Sequence, residues 1–359
     1  MKATVVVALT TALLACTDQT IATPSPSPTS PAQSQAADLR THLDLLLAEQ
    51  VMIIAKESAA AVNHSDEYSA YTALLATNSA DLTNQIARSF GNTSAIQFAQ
   101  LWNAQNGYLV DYAIRVVTHN DDKAAGAITS LTGTFTPQFA KLVTGLSQLP
   151  LDPITQLLSK QVQDDKAVID GVFAGNFKAY YADLHAAYEQ TSRFGDLLAE
   201  QVVLKFPDKF PGDPATPAVD ARVKLNLLLQ EHSYLASMVT SATINGRDGE
   251  KVQALGALSL NVTAMQALIE DQRFSLVWAQ EVTSLAAYAG KPDDAYRRAL
   301  TGTFVNELAS FTRAPASVIT NHVNATIKVI DDQRSKAPSV ADDDRAAATS
   351  MQPIADSIR

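Results

Sequence analysis

The sequence predicts an all-α protein in which one helical bundle is written twice, and three observations carry that expectation. The pentapeptide Leu-Thr-Gly-Thr-Phe stands at Leu131–Phe135 and again at Leu300–Phe304. Apolar residues recur at three- and four-residue spacing through most of the chain, as in Leu39, Leu43, Leu46, Leu47, Ile53 and Ile54, the period of a helix that buries one face. The two copies also match at near-constant offset. Arg40, Leu43, Leu45, Leu46, Leu47 and Glu49 face Arg222, Leu225, Leu227, Leu228, Leu229 and Glu231. Trp102 and Tyr112 face Trp278 and Tyr288, while Val168, Ile169, Asp170 and Asp196 face Val329, Ile330, Asp331 and Asp356. No stretch of alternating apolar and polar residues argues for a strand.

In chain order, residues 1–15 hold one charge, Lys2, and then an apolar run from Ala3 to Ala15. That run is short against the roughly 20 residues needed to cross a bilayer as a helix. It ends Leu13-Leu14-Ala15-Cys16, which resembles the signal of a bacterial lipoprotein: a branched apolar residue three places before the cysteine and a small one directly before it. The resemblance implies cleavage before Cys16, lipidation of its thiol, and a cell-envelope address on the outer face of the cytoplasmic membrane or on an outer membrane. Cys16 is the single cysteine in 359 residues and has no disulfide partner within the chain. Stable anchoring needs more than one acyl chain, which lipoprotein diacylglycerol supplies. Residues 16–37, with Pro24, Pro26, Pro28 and Pro31 among Ser, Thr, Gln and Ala, form a spacer whose composition cannot build a core and favours extended conformations.

Copy one is expected at 38–206 and copy two at 221–359, separated by a linker at 207–220 that holds Pro207, Pro211, Pro214 and Pro217 with Gly212, a composition no helix can continue through. Within copy one, helical stripes break at Asn63–Asp66, Gly91–Ser94, Asn120–Asp122, Pro150–Pro153 and Gly175–Asn176. Copy two breaks at Asn245–Gly249, near Asp271, at Gly290–Asp294, Arg313–Pro315 and Ser335–Asp344, leaving a last helix over Arg345–Ile358. The reading is two tandem up-down bundles of about six helices each.

Chemistry is sought at polar residues that fall on the apolar stripes. In copy two these are His232, Glu281 and His322, on three different helices; their equivalents in copy one are Gln50, Gln105 and Gln161. Gln190, facing Ser350, completes the set on the sixth helix. Two imidazoles and a carboxylate converging from facing helices suit a divalent transition metal. The competing reading is a buried hydrogen-bond network, because buried polar groups must be satisfied or cost roughly 1–3 kcal/mol each; for the amides of copy one it is the only one that fits. His42 and His185, which face Lys224 and Arg345, read as solvated surface.

The motif Glu231-His232-Ser233-Tyr234-Leu235, with the tryptophan-to-tyrosine spacing of the third helix, resembles uncharacterised secreted bacterial proteins built of tandem helical bundles. The resemblance implies histidine at the inward positions, from which copy one departs at all four. No hydrolase elbow, zinc-protease helix, phosphate loop or dinucleotide fingerprint is present. The formal charge of −10 disfavours nucleic acid as a partner. The expected function is therefore a lipid-anchored binding or structural module without a catalytic signature, whose partner is an envelope protein or a small apolar ligand. The alternative is a metal-binding or metal-dependent protein using His232, Glu281 and His322.

Overall fold

The computed structural model describes residues 31–358, so the expected signal peptide, Cys16 and most of the spacer lie outside the described residues. The protein is all-α. Among those residues there is no strand, only an isolated bridge between Thr312 and Ile358. Copy one begins with a short 3-10 turn, then α1 (Gln35–Val62), α2 (Glu67–Phe90), α3 (Asn92–Val117), α4 (Asp121–Ser130), α5 (Thr136–Ser147), α6 (Leu151–Phe173) and α7 (Phe177–Lys205). Copy two holds α8 (Pro217–Ile244), α9 (Asp248–Ile269), α10 (Gln272–Gly290), α11 (Asp294–Arg298), α12 (Val305–Leu308), α13 (Ala316–Ser335), α14 (Val340–Thr349) and α15 (Gln352–Ala355).

Three boundaries differ from the sequence reading. The last residues assigned to the spacer already belong to α1, which Ser34 caps by accepting from Ala37 N at 3.2 Å. The last four residues assigned to the linker form the first turn of α8. Thr216 caps that turn, and Pro217 sits at the one position where a missing N–H costs nothing. The final helix starts earlier than expected, because Asp342 and Asp343 lie in the first turn of α14, where carboxylates favour the helix dipole. It then breaks before α15, where Pro353 has no N–H to continue the ladder.

The duplicated pentapeptide has an unusual backbone in both places. Leu131–Phe135 is a π-helical turn between α4 and α5, and Ala299–Phe304 is another between α11 and α12. The extra residue in such a turn shifts the helical register, and here it coincides with two large side chains four apart facing inward. Leu131 and Phe135 are buried, as are Leu300 and Phe304. Phe135 stacks on Phe139 with ring centroids 5.1 Å apart, and Phe304 meets the edge of Trp278 at 5.2 Å.

The first helix of each copy is the axis of its bundle and also the contact between copies. α1 packs on α2, α6 and α7, α8 packs on α9, α10 and α14, and α1 and α8 pack on each other. The flanking contacts exchange in the same way, with α7 on α9 and α14 on α2. This reciprocity is that of a two-fold isologous interface, here made within one chain. A shared apolar cluster joins Val51, Met52 and Ala55 of α1 to Leu229, Tyr234 and Met238 of α8, while Phe98, Trp102 and Phe139 belong to a second cluster centred on copy one. The chain between the copies is held close: Gly212, at φ 118°, lies where any Cβ would strike Ser34, so both its conformation and its packing require glycine.

The flanks of the shared core are not alike. On one, Lys56 Nζ lies 2.6 Å from Asp344 Oδ2 and donates to Ser237 Oγ, and Tyr71 Oη donates to Asp344 at 2.9 Å, all buried. The equivalent positions on the other flank are Met238, Leu184, Ala55 and Ala254, all apolar and buried. The polar knot thus substitutes for packing that the opposite flank achieves with hydrocarbon. Removing one partner leaves an uncompensated buried charge, whereas removing the pair does not. Lys56→Met alone is expected to lower the unfolding free energy by about 3–5 kcal/mol. The triple change Lys56→Met, Asp344→Leu, Tyr71→Phe should recover most of that loss in the same urea titration.

Candidate functional site

The polar residues singled out in copy two are all buried, but they do not form one group. His232 of α8 sits between α9 and α10. Asn261 of α9 donates its amide hydrogens to Leu228 O and Glu231 Oε2, each at 2.9 Å. Its Oδ1 must therefore face His232, whose Nδ1 lies 3.1 Å away and has to donate. The other ring nitrogen, Nε2, lies 3.2 Å from Glu281 Oε2, so one proton is shared between imidazole and carboxyl. The ring also packs edge-on against Trp278, with centroids 4.7 Å apart. Both ring nitrogens are thus spent on hydrogen bonds.

His322 of α13 turns towards α14. Its Nδ1 lies 2.9 Å from Ser350 Oγ and 3.2 Å from Ala347 O. Because Ser350 donates its own hydrogen to Ala347 O at 2.6 Å, Nδ1 carries the proton and Nε2 is the bare nitrogen. Among the described residues no three His, Cys, Asp or Glu side chains are grouped to hold a metal ion. The expected convergence of His232, Glu281 and His322 on one metal is therefore corrected: two of them bond each other, with no free lone pair on His232, and the third faces away.

Copy one satisfies its equivalents less completely. Gln50 donates to Asn106 Oδ1 at 2.5 Å instead of reaching Gln105, and Asn106 donates on to Ser79. Asn78, the equivalent of Asn261, repeats the two donations, to Leu46 O and Glu49 Oε2. Its Oδ1 and Gln105 Oε1 have no partner, since no histidine stands between them. Gln161 donates to Asp165 and accepts from Thr191. Gln105, Gln161 and Gln190 line a cavity of about 20 Å³, room for about one water. Three of the four glutamines share that cavity while Gln50 turns to Asn106, and none of the four bonds another.

A second constellation, missed in the sequence, lies where the copies meet. Arg40 of α1 pairs with Asp196 of its own copy, then crosses to Asp220 and to Pro214 O at 2.7 Å. Arg222 of α8 does the same in reverse, pairing with Asp356 at 2.8 Å and crossing to Asp38 at 2.6 Å and Ala32 O at 2.9 Å. About two and a half turns farther along, buried Glu49 binds Arg345 at 3.0 Å, and buried Glu231 binds His185 at 2.7 Å. His185 is thus half-exposed on the wall of a cleft, not free surface, and its bond to Glu231 raises its pKa against the opposing effect of burial.

These pairs wall two equivalent clefts, one on each side of the α1–α8 contact. Cleft one, about 350 Å³, lies between α1, α7 and α8, with an apolar floor of Tyr188, Val223, Leu227 and Leu228. Cleft two, about 400 Å³, lies between α1, α2, α8 and α14, floored by Leu45, Leu46 and Ala348. Their rims differ. Cleft one carries Asp44, His185, Lys224 and Arg193, and cleft two His42, Arg88, Arg345 and the amides of Asn84, Gln85 and Asn226. Asp44 is fully buried with neither carboxyl oxygen bonded, and burial, reinforced by Asp196, holds its pKa well above the ordinary carboxylate range.

No protein family, curated protein or solved structure matches this chain.

His322 gives copy two an acid sensitivity at a position that copy one fills with the neutral Gln161. Burial pushes its pKa down from 6.5 to about 4, with the bond to Ala347 opposing and nearby His232 reinforcing the fall. A depressed histidine contributes stability that is full above the unfolded value and is lost as pH falls through the folded value. Between pH 6.5 and about 4 this amounts to on the order of 3 kcal/mol. His322→Gln, which installs the copy-one residue, is expected to remove that acid limb from a plot of unfolding free energy against pH. An unchanged limb would show that His322 is not buried neutral.

Proposed function

We propose that the protein is a lipid-anchored, extracytoplasmic binding module of the cell envelope, taking a small amphiphilic ligand into a cleft between its two copies. The anchor reading rests on Leu13-Leu14-Ala15-Cys16 and the proline-rich spacer after it. The observation that carries the binding reading is the pair of equivalent clefts, each of a size typical for ligand pockets, with an apolar floor and a rim of charged and amide groups. An apolar body on Tyr188, Val223, Leu227 and Leu228, with a polar end at the rim, matches the small apolar ligand expected from the sequence. A catalytic role has less support, since the buried histidines have their Nδ1 protons committed within the core and face no cleft.

Two measurements test the proposal. Cys16→Ser is expected to abolish incorporation of labelled palmitate and to release the protein from the membrane fraction. Mass spectrometry of the purified protein is expected to find a co-purifying amphiphile that is lost in Leu227→Trp, which fills cleft one. A membrane-bound, unlabelled wild type would sink the anchor, and a ligand equally retained by Leu227→Trp would sink the cleft.

A further inference from the structure

The two copies differ at one position where they should be most alike. In copy two, Asn226 of α8 donates its amide to Asp356 Oδ1 at 2.9 Å, beside Arg222, which binds the same carboxylate. In copy one the equivalent of Asn226 is Asp44, and that of Asp356 is Asp196. The arginine is unchanged: Arg40 Nε binds Asp196 Oδ1 and lies 3.9 Å from Asp44 Oδ2. A carboxylate therefore occupies the place of an amide donor, facing another carboxylate across one guanidinium nitrogen.

We propose that Asp44 is held as a carboxylic acid whose proton is donated to Asp196, reproducing the hydrogen bond that Asn226 makes to Asp356. One proton then fastens α1 to α7 and, through Arg40 and Asp220, copy one to copy two at the wall of cleft one. A protonated carboxyl presents, in the same plane, the acceptor of a primary amide and one of its two donors. The donor it keeps is the one Asn226 directs at Asp356; the second, which Asn226 gives to Arg222 O at 3.0 Å, has no counterpart in Asp44. The packing agrees: a Cβ at Gly195 would lie 1.9 Å from Asp44 Oδ1, whereas copy two carries Ala355 there. The Asp44 carboxyl is pressed onto α7 at Gly195.

The charges around it do not favour ionisation. On its own helix Arg40 is already shared between Asp196 and Asp220. On α7, His185 is taken by Glu231 and approached by Glu189 at 3.7 Å, and the Tyr188 hydroxyl is spent on Leu227 O and Gln230. Lys224 of α8 and Arg193 of α7 line the cleft, but neither donates to Asp44, whose oxygens have no donor among the described residues. An ionised Asp44 would place three carboxylates about one guanidinium, with burial preventing water from screening them.

The consequence is that cleft one loosens as pH rises. The folded-state pKa of Asp44 lies above its unfolded value of 3.8, so its contribution is complete below the unfolded value and lost as pH rises through the folded one. Within that window each pH unit costs a factor of ten in the folding constant. This bears on the proposed ligand cleft, but its test does not depend on any ligand.

The experiment compares unfolding of the wild type and of Asp44→Asn from about pH 4 to pH 9, a range chosen to bracket the window. The expected result is a wild-type stability that falls with pH relative to Asp44→Asn, which should match it at the acid end and lack the limb. Parallel curves would overturn the proposal. Should Asp44→Asn fail to fold, Asp196→Asn supplies a donor to an ionised Asp44 and should also lack the limb; a wild-type slope there would overturn it equally. Infrared spectroscopy gives a direct readout. Glu57 and Asp165, raised by burial to about 6 and about 7, contribute protonated-carboxyl bands in every variant. A further protonated-carboxyl band, present in the wild type and missing from both Asp44→Asn and Asp196→Asn, is expected, and its absence from the wild type would contradict the inference.

Discussion

Two arginines hold the copies in register. Arg40 and Arg222 each donate to a carboxylate at the end of their own bundle and then reach across to a carboxylate in the first turn of the other copy's first helix and to a backbone carbonyl just before that helix. A planar guanidinium offers several donors in fixed directions, so each arginine ties three segments at once: its own helix, the closing helix of its bundle, and the entry to the opposite bundle. The exchange of partners makes the interface two-fold, and that places α1 beside α8, Glu49 and Glu231 at equivalent depths, and one cleft on each flank. Exposed ion pairs taken singly contribute little. Here the arginine side chains are mostly buried and engage backbone as well as carboxylate, and they border a shared apolar cluster that supplies the larger driving force.

Duplication supplies its own control, because the same scaffold surrounds different residues. Where copy two has His232 between Asn261 and Glu281, copy one has Gln50 turned to Asn106, leaving Asn78 Oδ1 and Gln105 Oε1 unbonded. Where copy two has Asn226, copy one has Asp44. One flank of the shared core is hydrocarbon, while the other buries Lys56 and Asp344. Each difference adds or moves a titratable group at a position that its twin fills with a neutral one. The scaffold is thus symmetric, and its protonation chemistry is not.

Much of this was legible in the sequence. Helical stripes and the breaks between them placed the helices of copy one closely, because asparagine, glycine and proline at their ends act locally. The inward facing of His232, Glu281 and His322 followed from the same periodicity. What periodicity could not give was direction within the core: His322 turns to Ser350 because a serine one helix away offers an acceptor, and His232 is claimed by Asn261, whose own amide is fixed by Glu231. The repeated pentapeptide was plain as text, but its π-helical backbone was not, since one added residue in a turn leaves no compositional mark. His185 read as surface because Arg345 is its equivalent. Both residues in fact bind a buried glutamate of the opposite copy, and partner choice between copies is a tertiary fact that no local signal encodes. Asp44 facing Asn226 was visible as a pair of letters and gained meaning only once Asp196 and Asp356 were seen beside them.

The central claim is that the two copies form one cooperative unit through the reciprocal arginines and the core they border. Each copy holds a single tryptophan, Trp102 in the first and Trp278 in the second, so each can be followed alone after the other is changed to phenylalanine. Denaturant unfolding of the Trp102→Phe and Trp278→Phe proteins, read by tryptophan fluorescence and by circular dichroism, should give coincident transitions within each protein, as a two-state unit requires. A fluorescence midpoint for one copy that separates from the circular dichroism transition of the same protein would show that the copies unfold independently, and would contradict the account.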